Sequence, residues 1–139
     1  LLTSMLGDIA TSVEAAAATC EDTRTRLSNV VRAQLGAMAA RPATSQLLVA
    51  NLGRAGKLPD IAAGMDRAFQ APVRKILSEG VESGEIRPVD PDPTATAIFG
   101  AVTVVGLHSL MLHGNLDVDK SLDALVVLWG GLAPTGEVT

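Results

Sequence analysis

Aromatic residues, cysteine and positive charge are all scarce in this sequence. Of its 139 residues only Phe69, Phe99 and Trp129 are aromatic, and tyrosine is absent. A buried core must therefore be built from Ala, Leu, Val, Ile and Met, a composition that favours helices over strands. The formal net charge of −4 argues against nucleic-acid binding by these residues, because neutralising phosphates requires clustered Lys and Arg.

Cys20 is the single cysteine, which excludes an internal disulfide and favours a reducing, cytoplasmic location. Its only basic neighbour is Arg24, so a spectator thiol is favoured over a redox sensor. No charged segment precedes an apolar run at the start of the chain, and a signal peptide is not predicted. The chain instead begins within an amphipathic pattern, so we expect a further segment upstream of Leu1.

Apolar residues recur at helical spacing in six segments, and no strand pattern is convincing. The predicted helices cover residues 1–19, 22–41, 42–52, 59–83, 93–113 and 118–132. Asp22 and Asp117 are placed to cap the second and sixth helices. Gly84 is placed to end the fourth helix in a left-handed backbone conformation. Pro72 lies inside the fourth helix and predicts a kink with one backbone hydrogen bond missing. The pattern predicts one all-α bundle spanning residues 1–139.

Residues 94–112 carry no charge. An uncharged stretch of this length is long enough to span a membrane. Aspartates flank this stretch on both sides without a Lys/Arg bias to set an orientation, and His108 lies inside it. We favour a helix of a soluble protein that is buried on two opposite faces. Residues 118–132 repeat the two-faced arrangement.

Two adjacent helices with two apolar faces each indicate a partner, and a second copy of the chain is the economical one. Each copy would then contribute both helices to an intermolecular four-helix bundle. The alternative is that one monomer buries both faces. The predicted dimer residues are Ala97, Ala101, Val104, Val105, His108, Leu122, Leu125, Val126 and Trp129.

The most specific signal lies where the fourth helix ends and the uncharged helix begins. The pattern there is Gly80-x-x-x-Gly84-Glu85-Ile86-Arg87-Pro88-x-Asp90-Pro91. Followed by an uncharged helix, it resembles the junction between helices 7 and 8 in the tetracycline-repressor (TetR/AcrR) family of transcription regulators. The six predicted helices are similar to helices 4 to 9 of such a regulator in order, length and character.

The resemblance implies a ligand-sensing and dimerisation domain of a transcription regulator, most often a repressor. In the family, a helix-turn-helix domain precedes the segment that matches residues 1–19 and binds a palindromic operator as a dimer. That domain is absent from this chain, so no DNA-binding residue is predicted here. The resemblance also implies an effector cavity between the first, second, fourth and fifth helices, whose filling moves the first helix.

A candidate effector pocket follows from inward-facing residues of the central helices. Met side chains adapt to irregular ligands and Phe rings flank flat ones, although for any single residue ordinary core is the favoured interpretation. Gln34 interrupts an apolar stripe, and its buried amide needs either a ligand or a neighbouring helix as partner. With few inward polar groups, the effector is expected to be small and largely apolar. The predicted pocket residues are Gln34, Leu35, Met38, Met65, Phe69, Phe99 and Thr103.

No catalytic or metal site is predicted. His108 and His113 are five residues apart, about 140° around a helix, and cannot share a metal from one face. Nucleophile–base pairs and phosphate-binding loops are not visible, no cofactor is expected, and we interpret the chain as a non-enzyme. Two rival functions stay open: a stand-alone helical dimer that carries an apolar molecule without DNA, and a membrane-associated helical protein.

Overall fold

The computed structural model describes residues 2–18, 21–55 and 57–134. Within these ranges the chain is almost entirely helical and has no strand, which confirms the predicted all-α class. The α-helices, in chain order, are α1 (Leu2–Ala17), α2 (Thr23–Ala40), α3 (Pro42–Ala50), α4 (Leu52–Ala55), α5 (Pro59–Met65), α6 (Ala71–Ser83), α7 (Pro91–His113) and α8 (Val118–Val126). A wider π-helical turn, Asp66–Gln70, joins α5 to α6, and a 3₁₀ helix, Val127–Leu132, follows α8.

The predicted fourth helix is one continuous helical path with a π turn in its middle. Pro72 accounts for this position, because its ring has no N–H and clashes with the carbonyl of residue 68 in regular α-helical geometry. The kink predicted at Pro72 is therefore realised as a widened turn immediately before it. Within the turn, Ala71 donates its N–H to the carbonyl of Asp66, the five-residue spacing of a π helix.

Helix α2 lies at the centre of the bundle. It packs against α1, α6, α7 and α8, and its C-terminal part meets α3. Its buried hydrophobic side chains are aliphatic or thioether-bearing, as the shortage of aromatic residues requires. They include Leu27, Val30, Val31, Leu35 and Met38.

The junction after α6 connects three parts of the fold. Gly84 adopts φ 79°, a left-handed conformation that glycine adopts without steric cost, and Ile86 then turns back so that its N–H donates to the carbonyl of Gly80 at 3.3 Å. The Ile86 side chain is buried. Arg87 donates its backbone N–H to Leu132 at 3.0 Å and its Nε to the carbonyl of Ala133 at 3.2 Å. The junction thereby fixes the end of the C-terminal 3₁₀ helix.

Glu85 of the same junction caps the start of α2. Its Oε2 accepts hydrogen bonds from the backbone N–H of Thr23 at 2.8 Å and from the Thr23 hydroxyl at 3.0 Å. The first N–H groups of a helix have no partner within the helix, so a carboxylate placed there stabilises it. Asp22 adds the predicted cap by accepting from the N–H of Thr25 at 2.8 Å.

Replacing Glu85 by glutamine should lower the thermal stability at neutral pH and have progressively less effect in acid. The hydrogen bonds from the backbone and side chain of Thr23 hold the pKa of Glu85 below its ordinary value of 4.5. Because the folded pKa is depressed, the stabilisation is complete above the ordinary pKa and is lost as the pH falls through the folded value. Melting temperatures measured from neutral pH downward would test this. A Tm difference between Glu85→Gln and wild type that stays constant into acid would contradict it; Glu82→Gln, at an exposed position, is the control.

Candidate ligand-binding site

A small apolar cavity lies between α1, α2, α3, α4, α5, the π turn and α7. Its volume is about 10 Å³, room for about one water molecule. Its walls are almost wholly apolar. The lining residues are Met5, Met38, Ser45, Leu48, Val49, Leu52, Met65, Phe69, Phe99 and Thr103.

Three of the four methionines of the chain converge on this cavity from three different helices. Met5 comes from α1, Met38 from α2 and Met65 from the end of α5. The rings of Phe69 and Phe99 also line the cavity and pack with centroids 5.2 Å apart and planes tilted by 45°. Because thioether side chains are flexible and polarisable, such a wall can change shape at low cost.

Five of the seven predicted pocket residues line the cavity: Met38, Met65, Phe69, Phe99 and Thr103. Leu35 is buried in the core but is not among the lining residues. Ligand binding by the five stays a prediction. The lining residues absent from the prediction are Met5, Ser45, Leu48, Val49 and Leu52, most of them from α3 and α4. Helix α3 has only a weak amphipathic pattern, with Ser45 and Leu48 as its buried residues, so its sequence carries little signal for a cavity wall.

Gln34 satisfies its buried amide on a neighbouring helix. Its Nε2 donates to the carbonyl oxygens of Ala68 and Phe69, each at 3.2 Å. Pro72 explains why a donor is needed there: it supplies no N–H to the carbonyl of Ala68. Of the two partners considered for this side chain, the structure thus provides the neighbouring helix, and Gln34 supports the π turn that carries Phe69.

Gln34→Met should destabilise the fold by about 2 kcal/mol, because it leaves buried carbonyl groups without their donor. Gln46→Met is a matched control. Gln46 also donates to a carbonyl, that of Leu110 at 3.2 Å, but this oxygen already accepts the N–H of Gly114 at 3.0 Å. Urea unfolding of both variants would measure the difference. Equal losses of stability would mean that the π turn does not depend on Gln34.

Met38 occupies a notch that a glycine leaves in α7. A Cβ added at Gly106 would lie 2.4 Å from the terminal methyl carbon of Met38 and 3.1 Å from its sulfur. The end of Met38 therefore rests directly on the backbone of α7, beside the cavity. Displacement of this flexible side chain is one way to enlarge the space.

The predicted dimer residues fall into two groups. Ala97, Val104, His108 and Val126 are exposed, and Ala101 and Val105 are partly exposed. Leu122, Leu125 and Trp129 are instead at most 4 % exposed, and the indole N–H of Trp129 donates to the Ser28 hydroxyl at 3.1 Å. These three side chains are packed inside one monomer and offer little surface to a second copy, although Trp129 borders a groove between α7 and the 3₁₀ helix. Their place in a dimer interface stays a prediction.

Helices α7 and α8 and the 3₁₀ helix carry several exposed apolar side chains, and we call this set the outer apolar face. Val104 is 64 % exposed, Val127 76 % and Leu128 53 %. A groove of about 160 Å³ crosses it between α7 and the 3₁₀ helix. Exposed patches of this kind mark interaction sites. The outer apolar face comprises Ala97, Ala101, Val104, Met111, Leu112, Ala124, Val126, Val127 and Leu128.

Helix α7 is also long and apolar enough to cross a membrane. Its mean hydropathy is 1.8 over an 18-residue window, of which 33 % is buried within the monomer. Length and composition alone do not separate such a span from a core helix of a soluble dimer.

Other candidate sites show no assembled chemistry. Across the described ranges, no three His, Cys, Asp or Glu side chains cluster so as to hold a metal ion. His108 and His113 are both exposed. Cys20 lies outside the described residues. An open cleft of about 580 Å³ between α1 and α6 is lined by charged residues, of which Arg26 pairs with Glu79 and Arg67 with Glu14.

The comparison with protein families agrees with the fold. The family model described as "Tetracyclin repressor-like, C-terminal domain" matches residues 20–106, more than half of the chain. This range includes α2, the junction after α6 and the first two thirds of α7. No curated protein and no solved structure matches the chain significantly. C-terminal domains of this family are regulatory domains that dimerise and bind small molecules. The chain belongs to the tetracycline-repressor-like C-terminal domain family.

Proposed function

We propose that this domain is the effector-binding and homodimerisation part of a transcription regulator, acting as a repressor whose DNA binding is carried by a separate helix-turn-helix domain. The observation that carries the proposal is the small apolar cavity between α1, α2, α5 and α7, walled by flexible thioethers. At about 10 Å³ it is too small for an effector, so binding has to change the packing of the bundle. A ligand that favours one of two packings is what allosteric control requires.

Helix α1 is the element that we propose to transmit this change. Met5 of α1 lines the cavity, and α1 also packs along α2, α5 and the π turn. An effector that separates the cavity walls would therefore tilt α1 against the rest of the bundle. In a dimeric repressor, a small tilt alters the distance between two DNA-binding heads that must be one helical turn of DNA apart.

The outer apolar face supplies the proposed homodimer contact. Helix α7 contributes the small residues Ala97 and Ala101, which permit close approach of two backbones, and the exposed Val104. Two copies related by a two-fold axis would pair α7 and α8 with their equivalents in a four-helix bundle. This arrangement explains why a helix with so little charge has an exposed face.

Two rival functions make different predictions. A stand-alone carrier of apolar molecules would use the same cavity but would be encoded without a basic helix-turn-helix segment. A membrane-associated protein would require detergent for extraction. Family membership favours the regulator over both, and we propose a cytoplasmic location with no cofactor and no catalytic activity.

Phe69→Leu should tighten the binding of a small neutral probe such as octanol by about tenfold. The smaller side chain enlarges the cavity, so the ligand has to displace less of the protein, and burying one further methylene group changes affinity by about this factor. Val30→Ala is the control, since Val30 is fully buried but is not a lining residue. The affinities can be measured by calorimetry and by the rise in Tm on binding. Identical changes in both variants would mean that the cavity is ordinary core.

A further inference from the structure

The cavity has only two polar side chains, Ser45 of α3 and Thr103 of α7. Both are more than nine-tenths buried, with relative exposures of 1 % and 8 %. Ser45 already has a partner: its hydroxyl donates to the carbonyl of Met38 at 3.3 Å. Its hydrogen-bonding capacity is thus directed into the protein.

Thr103 differs from Ser45 because its hydroxyl makes no hydrogen bond with any described residue. Threonines in helices commonly bond back to the carbonyl four residues earlier, as Thr96 does to Asp92 at 3.1 Å. Among the described residues, no enclosed side-chain nitrogen or oxygen lacks a partner. The Thr103 oxygen must therefore face open space, and the residue borders the cavity.

Charge is absent from the cavity walls: none of the ten lining residues is ionisable. Moving a carboxylate or an ammonium group from water into such surroundings without a partner is strongly unfavourable. A ligand with one neutral hydrogen-bonding group, by contrast, can pair it with Thr103 and bury the remainder against methionine and phenylalanine.

We infer that the effector is a neutral, mostly hydrocarbon molecule with a single hydroxyl or carbonyl group, and that Thr103 binds this group. The inference rests on the proposed function and adds the chemical class of the ligand and the residue that selects it. Thr103 supplies both a donor and an acceptor, so alcohols, ketones and esters all satisfy it. Met38, resting on Gly106, and Met65 move to accommodate the hydrocarbon part.

The test compares three ligands that share one chain: octanol, octanoate and octylammonium. Isothermal titration calorimetry of the wild-type protein should give octanol an affinity at least about a hundredfold higher than either ion, because an unpaired buried charge costs several kcal/mol. Thr103→Val keeps the shape of the side chain and removes the hydroxyl, and should weaken octanol binding about tenfold. Ser121→Ala, the control, removes a buried hydroxyl that does not line the cavity and should leave octanol affinity unchanged.

The outcomes separate this inference from the proposed function. Octanol affinity that is unchanged in Thr103→Val, or octanoate or octylammonium binding as tightly as octanol, would overturn the inference and leave an effector cavity in place. Equal losses in Thr103→Val and Ser121→Ala would also overturn it, since a general loosening of the fold would then be the cause. Failure of all three ligands to bind the wild-type protein would overturn the proposed function itself.

Discussion

Val104→Arg is expected to convert a dimer of this domain into folded monomers. Val104 is 64 % exposed in the monomer, so an arginine at this position can extend into water without disturbing the core. In the proposed dimer the same residue lies in the apolar contact, and the two-fold axis brings both new charges into it. Since unpaired charges at an interface cost several kcal/mol, the dissociation constant should rise by at least about a hundredfold.

Leu58→Arg is the matched control for this substitution. Leu58 is 56 % exposed and precedes α5, away from the outer apolar face. Sedimentation velocity over a range of concentrations should find Leu58→Arg dimeric and Val104→Arg monomeric, with the same helical circular dichroism for both. A Val104→Arg protein that stays dimeric would place the interface elsewhere.

Gly80→Ala is expected to cost about 2 kcal/mol of folding free energy, a typical penalty for overpacking. A Cβ at Gly80 would lie 2.7 Å from the Thr23 hydroxyl oxygen, 2.9 Å from its methyl carbon and 3.2 Å from a side-chain carbon of Ile86. Thr23 is buried and held by Glu85, so it cannot move aside. The substitution should loosen the contact between α6 and the start of α2.

Gly36→Ala should have the opposite sign. Gly36 lies inside α2, and nothing is within 4 Å of the position its Cβ would take. Alanine in a helix interior is favoured over glycine by about 0.5–1 kcal/mol, so this variant should be more stable than wild type. Chemical denaturation of both variants would measure whether the free energy of unfolding falls in Gly80→Ala and rises in Gly36→Ala. A Gly80→Ala protein as stable as wild type would show that the Thr23 side chain can move away from the added methyl group.

Helical periodicity and end signals predicted most of the fold. The six predicted segments correspond to observed helical segments because their apolar residues repeat at helical spacing and because Asp22, Gly84 and Asp117 act as the predicted caps. The short helix α4 was not predicted, and the end of the sixth segment is a 3₁₀ helix. The junction pattern had a clear family resemblance, but its physical roles became visible only in three dimensions. Glu85 caps α2, and Arg87 binds the end of the 3₁₀ helix. Such contacts join residues far apart in sequence.

The choice between two apolar faces could not be made from periodicity. On α8 and the 3₁₀ helix both sides are apolar, and the pattern predicts two buried faces without saying which one packs inside the monomer. Trp129 is on the inner side, where its indole N–H donates to the hydroxyl of Ser28, 101 residues earlier in the chain. Leu128, its neighbour, is consequently exposed.

The candidate site was predictable where a residue's own helix pointed it inward, as for Met38, Phe69 and Thr103. It was not predictable where the wall came from a short helix with little amphipathic pattern, as for Val49. Gln34 shows a further limit. Its position in an apolar stripe predicted a buried amide, but not the partner of that amide. The partner is the carbonyl of Ala68, which lies on another helix and lacks a donor because Pro72 has no N–H.

Native mass spectrometry of the purified protein tests the central claim most directly, because one spectrum reports both the oligomeric state and any bound molecule. The account predicts a dimer that survives at micromolar concentration, is lost in Val104→Arg, and carries a neutral small molecule or takes up added octanol. A monomer that binds neither would contradict the account, since the outer apolar face and the cavity would then have no function in dimerisation or sensing.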